Sequence, residues 1–481
     1  MRISRWAGLS PGPAPFGRCP ASAWSGEAAA SSHVVVRSSF PCGAASGKVL
    51  RATPKNPIPG VGYVDRGGGL RAELGRPDAE VLRPGRDAGA LVADPQSLLR
   101  ANNALQILSN AAWYAAVPFI PLYLVSQGAS IGVVGVIIGC SGILPLLISL
   151  HAGALADQRG PVVVAQASVL LFGLAGIVLA TLHPVWAVAV AYSLMSVANI
   201  GFAIAPQAIV AAASTPATRV RNYGYYSLWN SAGAVVGPVL GGYVAGHFGY
   251  RAAFALVWIL MVPSFWATVS MRFVPPASRH VSFATAHRLV GTIVRQRGVA
   301  GVLFISFMMV WAQQLQQTFY PIYLHRVGLS TFLIGFVLAA ISLSSMLVRS
   351  ALTRAVEWLG YRWLLLGATA LVAVALGATP LFHRFWPFVL LSGLVGASLG
   401  ITQPLSMSLM AESVASEFWG VAFGIRQGAQ RVASITSPMV LGFVIAVAGL
   451  QWAFFLGGGT ILATIPIMAG VTQHLRHRRD R

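Results

Sequence analysis

The sequence contains few charged residues and very few acids. Only 9% of its 481 residues are charged, whereas about a quarter are charged in an ordinary soluble domain. Beyond residue 98 the acids are reduced to Asp157, Glu357, Glu412, Glu417 and Asp480. This composition excludes a soluble globular fold.

Cysteines and common catalytic motifs are scarce as well. The three cysteines, Cys19, Cys42 and Cys140, lack metal-ligand spacing, so the sequence predicts neither a metal site nor a disulfide framework. The zinc-protease pattern HExxH and the phosphate-binding pattern GxxxxGK[ST] do not occur. We therefore expect no enzyme and no cofactor.

Long apolar runs dominate the rest of the chain. Each run has roughly 18 to 25 residues, which is enough for a helix to cross a bilayer, and the runs lack the alternation of a membrane β-barrel. The sequence thus predicts an all-α membrane protein. The predicted spans are 101–125, 130–152, 161–182, 184–212, 222–247, 251–274, 300–324, 330–352, 363–380, 386–410, 420–447 and 451–472.

The spans divide the chain into five predicted regions. Residues 1–98 are rich in Pro, Gly, Ser, Ala and Arg and are predicted to be a disordered extension. A targeting segment and a misassigned start both remain open for this extension. The other regions are a six-helix bundle at 99–274, a cytoplasmic linker at 275–299, a second six-helix bundle at 300–472 and a basic cytoplasmic tail at 473–481.

The positive charge follows a topological pattern. The net charge is +21, but the arginines lie at the ends of the apolar runs, which argues against nucleic-acid binding. With the N-terminus inside, sixteen arginines fall on the inner side and only three, Arg251, Arg326 and Arg384, on the outer side. Translocated loops are depleted in Lys and Arg. We therefore expect a plasma (inner) membrane protein with both termini in the cytoplasm, or an organelle membrane if the extension is a transit peptide.

The two bundles are tandem copies of each other. Residue n matches residue n + 200 without a gap at Gly, Pro and aromatic positions, which composition alone does not explain. Because each copy has an even number of spans, both copies run the same way through the membrane. The matching pairs include Phe119/Phe319, Pro121/Pro321, Tyr123/Tyr323, Gly160/Gly360, Pro238/Pro438 and Gly242/Gly442.

A loop motif follows the second span in each copy. GALADQRGP, from Gly153 to Pro161, resembles the signature G-x-L-A-D-R-x-G-R of the major facilitator superfamily, and RSALTRAVEWLGYR resembles its second-half copy. The resemblance implies that Asp157 latches near Gly420 and Glu357 near Arg221, closing the cytoplasmic side. A solvated loop acid is the alternative. The candidate gating residues of these loops are Gly153, Asp157, Arg159, Gly160, Arg354, Glu357 and Gly360.

The fifth span carries a second motif. GAVVGPVLGG fills every position of G-x-x-x-G-P-x-x-G-G and resembles the antiporter signature of the drug:proton antiporter branch. Small residues at this spacing let a neighbouring helix approach closely, so simple packing is the alternative. Its predicted conformational residues are Gly233, Gly237, Pro238, Gly241 and Gly242.

Polar and aromatic residues at mid-span are candidates for a substrate cavity, although amides within spans also join helices. Arg431 is the most informative, because a central arginine costs roughly 2.5 to 3.5 kcal/mol on insertion scales and should face a cavity or a partner. Arg426 is expected to snorkel to the cytoplasmic edge. The candidates are Asn110, Trp113, Tyr114, Tyr226, Trp229, Asn230, Gln313, Gln314, Gln317, Gln403 and Arg431.

These features together predict a secondary active transporter that works by alternating access. The spans offer no acid at mid-membrane to attract a cation or exchange a proton, so we expect efflux of a hydrophobic or amphiphilic compound that is neutral or anionic. Protons as coupling ion are implied only by the resemblance. An importer of a nutrient or metabolite and a non-transporting receptor remain alternatives. We expect a monomer in the lipid bilayer.

Overall fold

A computed structural model describes residues 94–148, 159–215, 217–271, 294, 297–414 and 419–470. These residues belong to one unit that runs from Gly85 to Arg481. The predicted N-terminal extension up to residue 93, the latch residues Gly153 and Asp157, nearly all of the linker and the whole of the tail lie outside the described residues.

Twelve long helices make up this part of the chain. They are α1 Pro95–Ser126, α2 Ile131–Ile148, α3 Pro161–Thr181, α4 Val185–Ala212, α5 Arg219–Phe248, α6 Tyr250–Val269, α7 Val299–Arg326, α8 Thr331–Leu359, α9 Tyr361–Leu381, α10 Phe385–Ser413, α11 Trp419–Ala448 and α12 Leu450–Gly470. The first six form one half of the molecule and the last six the other. The prediction of an all-α membrane protein with twelve spans in two halves is confirmed.

Eleven of these helices are long and apolar enough to cross a membrane, counting only the described residues. The exception is α5, which has the length of a span but opens with a polar segment and then carries five glycines and a proline. The glycines of the motif therefore also lower the hydropathy of α5.

Helix α1 begins earlier than the sequence predicts. The Asp94 side chain accepts hydrogen bonds from the backbone N–H groups of Gln96 and Ser97, at 3.0 and 3.2 Å, and Pro95 occupies the first helical position. An aspartate cap followed by proline is a strong helix start. Residues 95–98 are therefore helical and not part of the extension.

The helix boundaries repeat at the same offset as the sequence. Helices α2 and α8 start at Ile131 and Thr331, and each is capped by a serine, Ser130 or Ser330, that accepts a hydrogen bond from an amide three residues later. The turns match as well, because Gly128, Gly160 and Gly249 have positive φ and so do Gly328, Gly360 and Gly449. The tandem duplication read from the sequence is thus a duplication of backbone geometry.

The two halves meet along two matching helix pairs, α2 with α11 and α5 with α8. A Cβ on Gly442 would lie 3.1 Å from the Cα of Gly135, and a Cβ on Gly242 would lie 3.1 Å from the Cα of Gly335. The offset of 200 residues converts one contact into the other. Glycine at these positions allows backbone to touch backbone across the interface.

Candidate functional site

A cavity lies between the two halves. It consists of two adjoining chambers of about 290 Å³ and 340 Å³. The first is lined partly by α8 and the second partly by α2, and we call them the α8 chamber and the α2 chamber. Both are lined by Tyr114, Val310, Gln313, Gln317, Gln403 and Gln430. Because these six residues belong to both, the chambers form one continuous cleft.

The structure brings together nine of the eleven predicted cavity residues. Asn230 lines the α8 chamber, whereas Trp113 and Arg431 line the α2 chamber. The remaining members of this group are Asn110, Tyr114, Gln313, Gln314, Gln317 and Gln403. These residues come from α1, α5, α7, α10 and α11, so the repeat geometry gathers positions that are far apart in sequence.

Tyr226 and Trp229 are not among the residues that line the two chambers. Trp229 is 40% exposed and shares a helix face with Val236, Leu240 and Tyr243, which are also exposed. The cavity face of α5 instead carries Asn230, Ala234 and Pro238, spaced four residues apart. One residue turns a helix by about 100°, and this rotation separates Trp229 from Asn230.

Tyr226 lies nearer the start of α5. Its ring is 6.3 Å from that of Tyr223 in an edge-on arrangement, and the Tyr223 hydroxyl donates a hydrogen bond to the Gln207 carbonyl at 3.1 Å. Tyr226 therefore packs beside the contact between α4 and α5, one turn before Asn230.

Arg426 differs most clearly from its prediction. It is 2% exposed, and its guanidinium donates to the hydroxyls of Ser306 and Ser406 at 3.0 and 2.9 Å. These partners come from α7 and α10, so the arginine joins three helices and does not snorkel to the edge. Serines are common within spans, and no sequence pattern indicates that these two would meet Arg426.

Arg349 is a further lining residue that sequence reasoning missed. It was counted among the arginines of the cytoplasmic flank, yet it lines the α8 chamber and donates to the Gln403 side-chain oxygen at 3.0 Å. Helix α8 extends to Leu359, which places Arg349 ten residues before its end. The sequence signal that could have revealed this position is that Arg349 falls within the predicted span 330–352.

Arg431 lines the α2 chamber, as expected of a central cation. Among the described residues no side chain hydrogen-bonds to its guanidinium. All three cleft arginines thus lie on helices of the second half, whereas the lining residues from the first half are uncharged. No carboxylate occurs among the lining residues that the structure describes.

The glutamines of α7 lie where the helix changes from an α-helix to a π-turn. Residues Leu315–Phe319 form a π-turn, and such turns are frequent at functional sites. Gln313 and Gln317 face the cleft, while Gln314 donates to the Ser434 carbonyl at 3.3 Å. Gln314 therefore joins α7 to α11 as well as lining the α2 chamber.

A buried amide cluster holds the first-half wall. The Gln106 side-chain oxygen accepts hydrogen bonds from the amides of Asn110 and Asn230, at 3.1 and 3.2 Å. The Gln106 amide points to the Phe202 carbonyl of α4 at 3.5 Å. Asn230 thus joins α5 to α1 while it lines the cavity, and Asn110 belongs to the same cluster through a bond within α1.

The glycines of the α5 motif lie at close helix contacts. A Cβ on Gly233 would meet the Ile107 carbonyl oxygen at 2.5 Å, and one on Gly237 would meet the Ala111 carbonyl oxygen at 2.6 Å. Gly241 packs in the same way on Ala115, and Gly242 packs on α8. The motif therefore fits α5 between α1 and the opposite half.

The loop candidates are only partly described. Gly160 and Gly360 adopt φ of 91° and 74°, a region that favours glycine, as expected of tight turns. Arg159, Arg354, Glu357 and Arg221 are exposed. Within the described part of the chain, Glu357 and Arg221 form no ion pair, so this latch is not engaged.

Curated relatives resemble most of the chain. Multidrug resistance protein MdtG of Salmonella paratyphi C (strain RKS4594) is 21% identical over 370 residues, covering 74% of this chain and 90% of the relative. MdtG of Salmonella choleraesuis (strain SC-B67) is 20% identical over 370 residues, with the same coverage.

Solved structures share the fold. The nucleoside transporter NupG superposes with a TM-score of 0.65 at 14% identity, covering 78% of this chain and 99% of NupG. A peptide transporter POT in complex with sulfate gives a TM-score of 0.67 at 15% identity, covering 81% of this chain and 97% of POT. The family description of the Major Facilitator Superfamily matches residues 104–373 and 302–480. With its two repeated halves and the cleft between them, the chain belongs to the major facilitator superfamily.

Proposed function

We propose that this transporter exports a small amphiphilic compound, neutral or negatively charged, by alternating access. The observation that carries the proposal is the chemistry of the cleft. One wall presents Arg349, Arg426 and Arg431, and the other presents Trp113 and Tyr114. An acidic group suits the first wall and an apolar body suits the second.

The shape of the cleft supports a state that is open on one side. The halves are in backbone contact at Gly135–Gly442 and Gly242–Gly335. The lining residues Pro145 and Arg349 lie ten and fourteen residues further along α2 and α8, about 15 to 21 Å at the rise of an α-helix. With both termini in the cytoplasm, as the arginine distribution predicts, the cleft opens inward and is closed outward.

The direction of transport rests on the curated relatives. Their name, multidrug resistance protein, supports export across a bacterial inner membrane. An importer of a nutrient or metabolite is the second candidate, because the nucleoside and peptide transporters share the fold. Proton coupling has less support than export, because the described cleft offers no carboxylate to carry the proton. We expect a monomer to suffice, because the cleft is built within one chain.

Transport assays in membrane vesicles test the proposal. Inside-out vesicles should accumulate radiolabelled benzoate faster than right-side-out vesicles. Arg431→Ala should lower this rate by about tenfold, because a cation in the cleft raises the local concentration of anions. The permanent cation tetraphenylphosphonium should be transported poorly.

The matched control is Arg384→Gln, which removes an arginine at the start of α10 that lines neither chamber. This variant should retain most of the benzoate transport. Strong export of tetraphenylphosphonium that is unchanged in Arg431→Ala would contradict the proposal, and faster accumulation in right-side-out vesicles would favour the importer.

A further inference from the structure

The α8 chamber contains a cation with an unusual set of partners. Arg426 is almost fully buried, and its two hydrogen-bond partners in the described structure are the neutral hydroxyls of Ser306 and Ser406. A buried charge is normally paired with an opposite charge, because removing it from water is costly. The described lining of this chamber supplies no such charge.

Among the described residues, some of the hydroxyl groups near Arg426 have no acceptor for their proton. Ser406 uses its own proton on the Gln403 carbonyl at 2.9 Å. Ser306, which is 1% exposed, accepts from Arg426 but donates to no acceptor among the described residues. Ser342 and Ser345 also line the chamber without hydrogen-bond partners in the described chain. Three hydroxyl donors and a buried guanidinium therefore border the same space.

Arg349 adds a second cation on the same side. It is exposed to the cleft and spends one N–H on Gln403, and an arginine has five N–H donors. The side chain is thus held in place while most of its donors remain available. Two arginines and several hydroxyls converging without an acid form the donor set of an oxyanion site.

We propose that the α8 chamber is an oxyanion-binding subsite, separate from Arg431, that takes the carboxylate or phosphate group of the transported compound. Arg426 and Arg349 supply the charge and the Ser306 hydroxyl supplies a neutral donor. The organic body of the compound extends into the α2 chamber towards Trp113, since the two chambers are continuous. The proposal rests on the transport function given above and identifies which part of the cleft selects the acidic group.

Binding to the purified full-length chain in neutral detergent tests the subsite. Isothermal titration calorimetry with sodium phosphate and sodium benzoate, at constant ionic strength, should show binding of both anions, whereas the neutral isostere benzamide should bind at least about tenfold more weakly. Arg349→Gln should weaken phosphate and benzoate binding by about 10-fold to 100-fold. Ser306→Ala should weaken both by a smaller factor.

Arg426 needs a second variant because its removal could prevent folding. Arg426→Lys keeps the charge but loses the paired contacts to Ser306 and Ser406, and it should fold and lose affinity for phosphate. Arg384→Gln, at the far end of α10, is the control and should bind like the unchanged protein. Arg431→Gln should weaken phosphate binding less than Arg349→Gln does.

Three results would overturn the subsite. The first is equal affinity for benzoate and benzamide. The second is unchanged phosphate binding in both Arg349→Gln and Arg426→Lys. The third is loss of anion binding in Arg431→Gln alone, which would place the acidic group at Arg431 and leave the proposed function standing. Absence of transport in vesicles by a chain that binds phosphate in the α8 chamber would instead contradict the function.

Discussion

Each half joins three equivalent helices, but the two halves use different side chains to do so. In the first half, helices α1, α4 and α5 are joined by Gln106 and its neutral amide partners. In the second half, the equivalent helices α7, α10 and α11 are joined by Arg426 and two serines. Ser306 occupies the position equivalent to Gln106. The backbone repeat has been kept while a neutral hub in one half corresponds to a cationic hub in the other.

The cleft walls differ in the same sense. Trp113 of the first half corresponds to Gln313, and Ser231 corresponds to Arg431; all four line the cavity. A symmetric fold thus encloses an asymmetric surface, with an aromatic wall facing a cationic wall. A ligand bound between them has one preferred orientation, which a symmetric cleft could not impose.

The largest expected effect tests whether the halves move as equals. In a background without the native cysteines, Gly132→Cys with Ala446→Cys should form a disulfide, and so should Gly246→Cys with Phe332→Cys. The Cβ separations are 3.6 and 3.9 Å, within the usual range for a disulfide of about 3.5 to 4.5 Å. Each crosslink should abolish benzoate transport in vesicles, because it holds the halves together at one end.

Dithiothreitol should restore transport in both pairs, and the four single-cysteine variants should remain active under oxidation. If one crosslink blocks transport and the other does not, the two interfaces have different roles. The two halves would then not move equivalently.

The second test concerns packing that only the first half uses. Gly237→Leu places a side chain where a Cβ would already lie 2.6 Å from the Ala111 carbonyl oxygen, and the equivalent position in α11 is Ser437. Overpacking costs roughly 1 to 3 kcal/mol and more against backbone. The yield of monodisperse protein and its melting temperature should both fall sharply. Gly224→Leu in the same helix has open space and should fold; equal loss in both variants would remove close packing as the cause.

A third test makes the walls more alike. Trp113→Gln copies the second-half residue Gln313, and it should weaken binding of 1-naphthoate by about 2-fold to 10-fold, since an aromatic pair contributes roughly 0.5 to 1.5 kcal/mol. Phosphate binding, measured by calorimetry in the same preparation, should not change. A parallel loss of phosphate affinity would show that the aromatic wall and the cationic wall are not independent.

The smallest effect concerns the start of each half. Hydrogen bonds from the backbone N–H groups of Ser97 and Gln96 lower the pKa of Asp94, whereas the equivalent residue Val294 cannot cap a helix. Because the folded pKa lies below the unfolded one, the cap is fully present above the unfolded value and is lost as pH falls through the folded value.

Hydrogen exchange of the peptide that contains residues 95–99 measures this cap. Asp94→Ala should speed exchange there, and Asp94→Asn should preserve protection because asparagine also caps helices. Faster exchange in both variants would mean that the charge, not the hydrogen-bonded cap, holds the helix start.

The spans and their repeat could be predicted because they depend on local composition and on periodic matches. Starts such as Ile131 and Thr331 follow from serine caps and glycine turns, which are visible in the sequence. Most of the residues that line the cavity could also be predicted from the sequence, because a polar residue in an apolar run must face protein or water.

The errors came from rotation and from long-range partners. Trp229 and Asn230 are neighbours in sequence but lie on different faces of α5, and no single-sequence pattern fixed which face meets the cleft. Arg426 was misplaced because its serine partners are 120 and 20 residues away. Arg349 was assigned to the cytoplasmic flank because it lies three residues before the end of the predicted span 330–352, whereas α8 continues to Leu359.

The cleft arginines, and a described cleft lining without a carboxylate, bear on the energy source that transport would use. An anion that leaves a cell with a negative interior moves down the electrical potential, which is worth about 2.3 kcal/mol per charge per 100 mV. A carrier of anions can therefore work outward on voltage alone. For such a carrier, collapse of the voltage with a potassium ionophore would be more damaging than collapse of the pH difference.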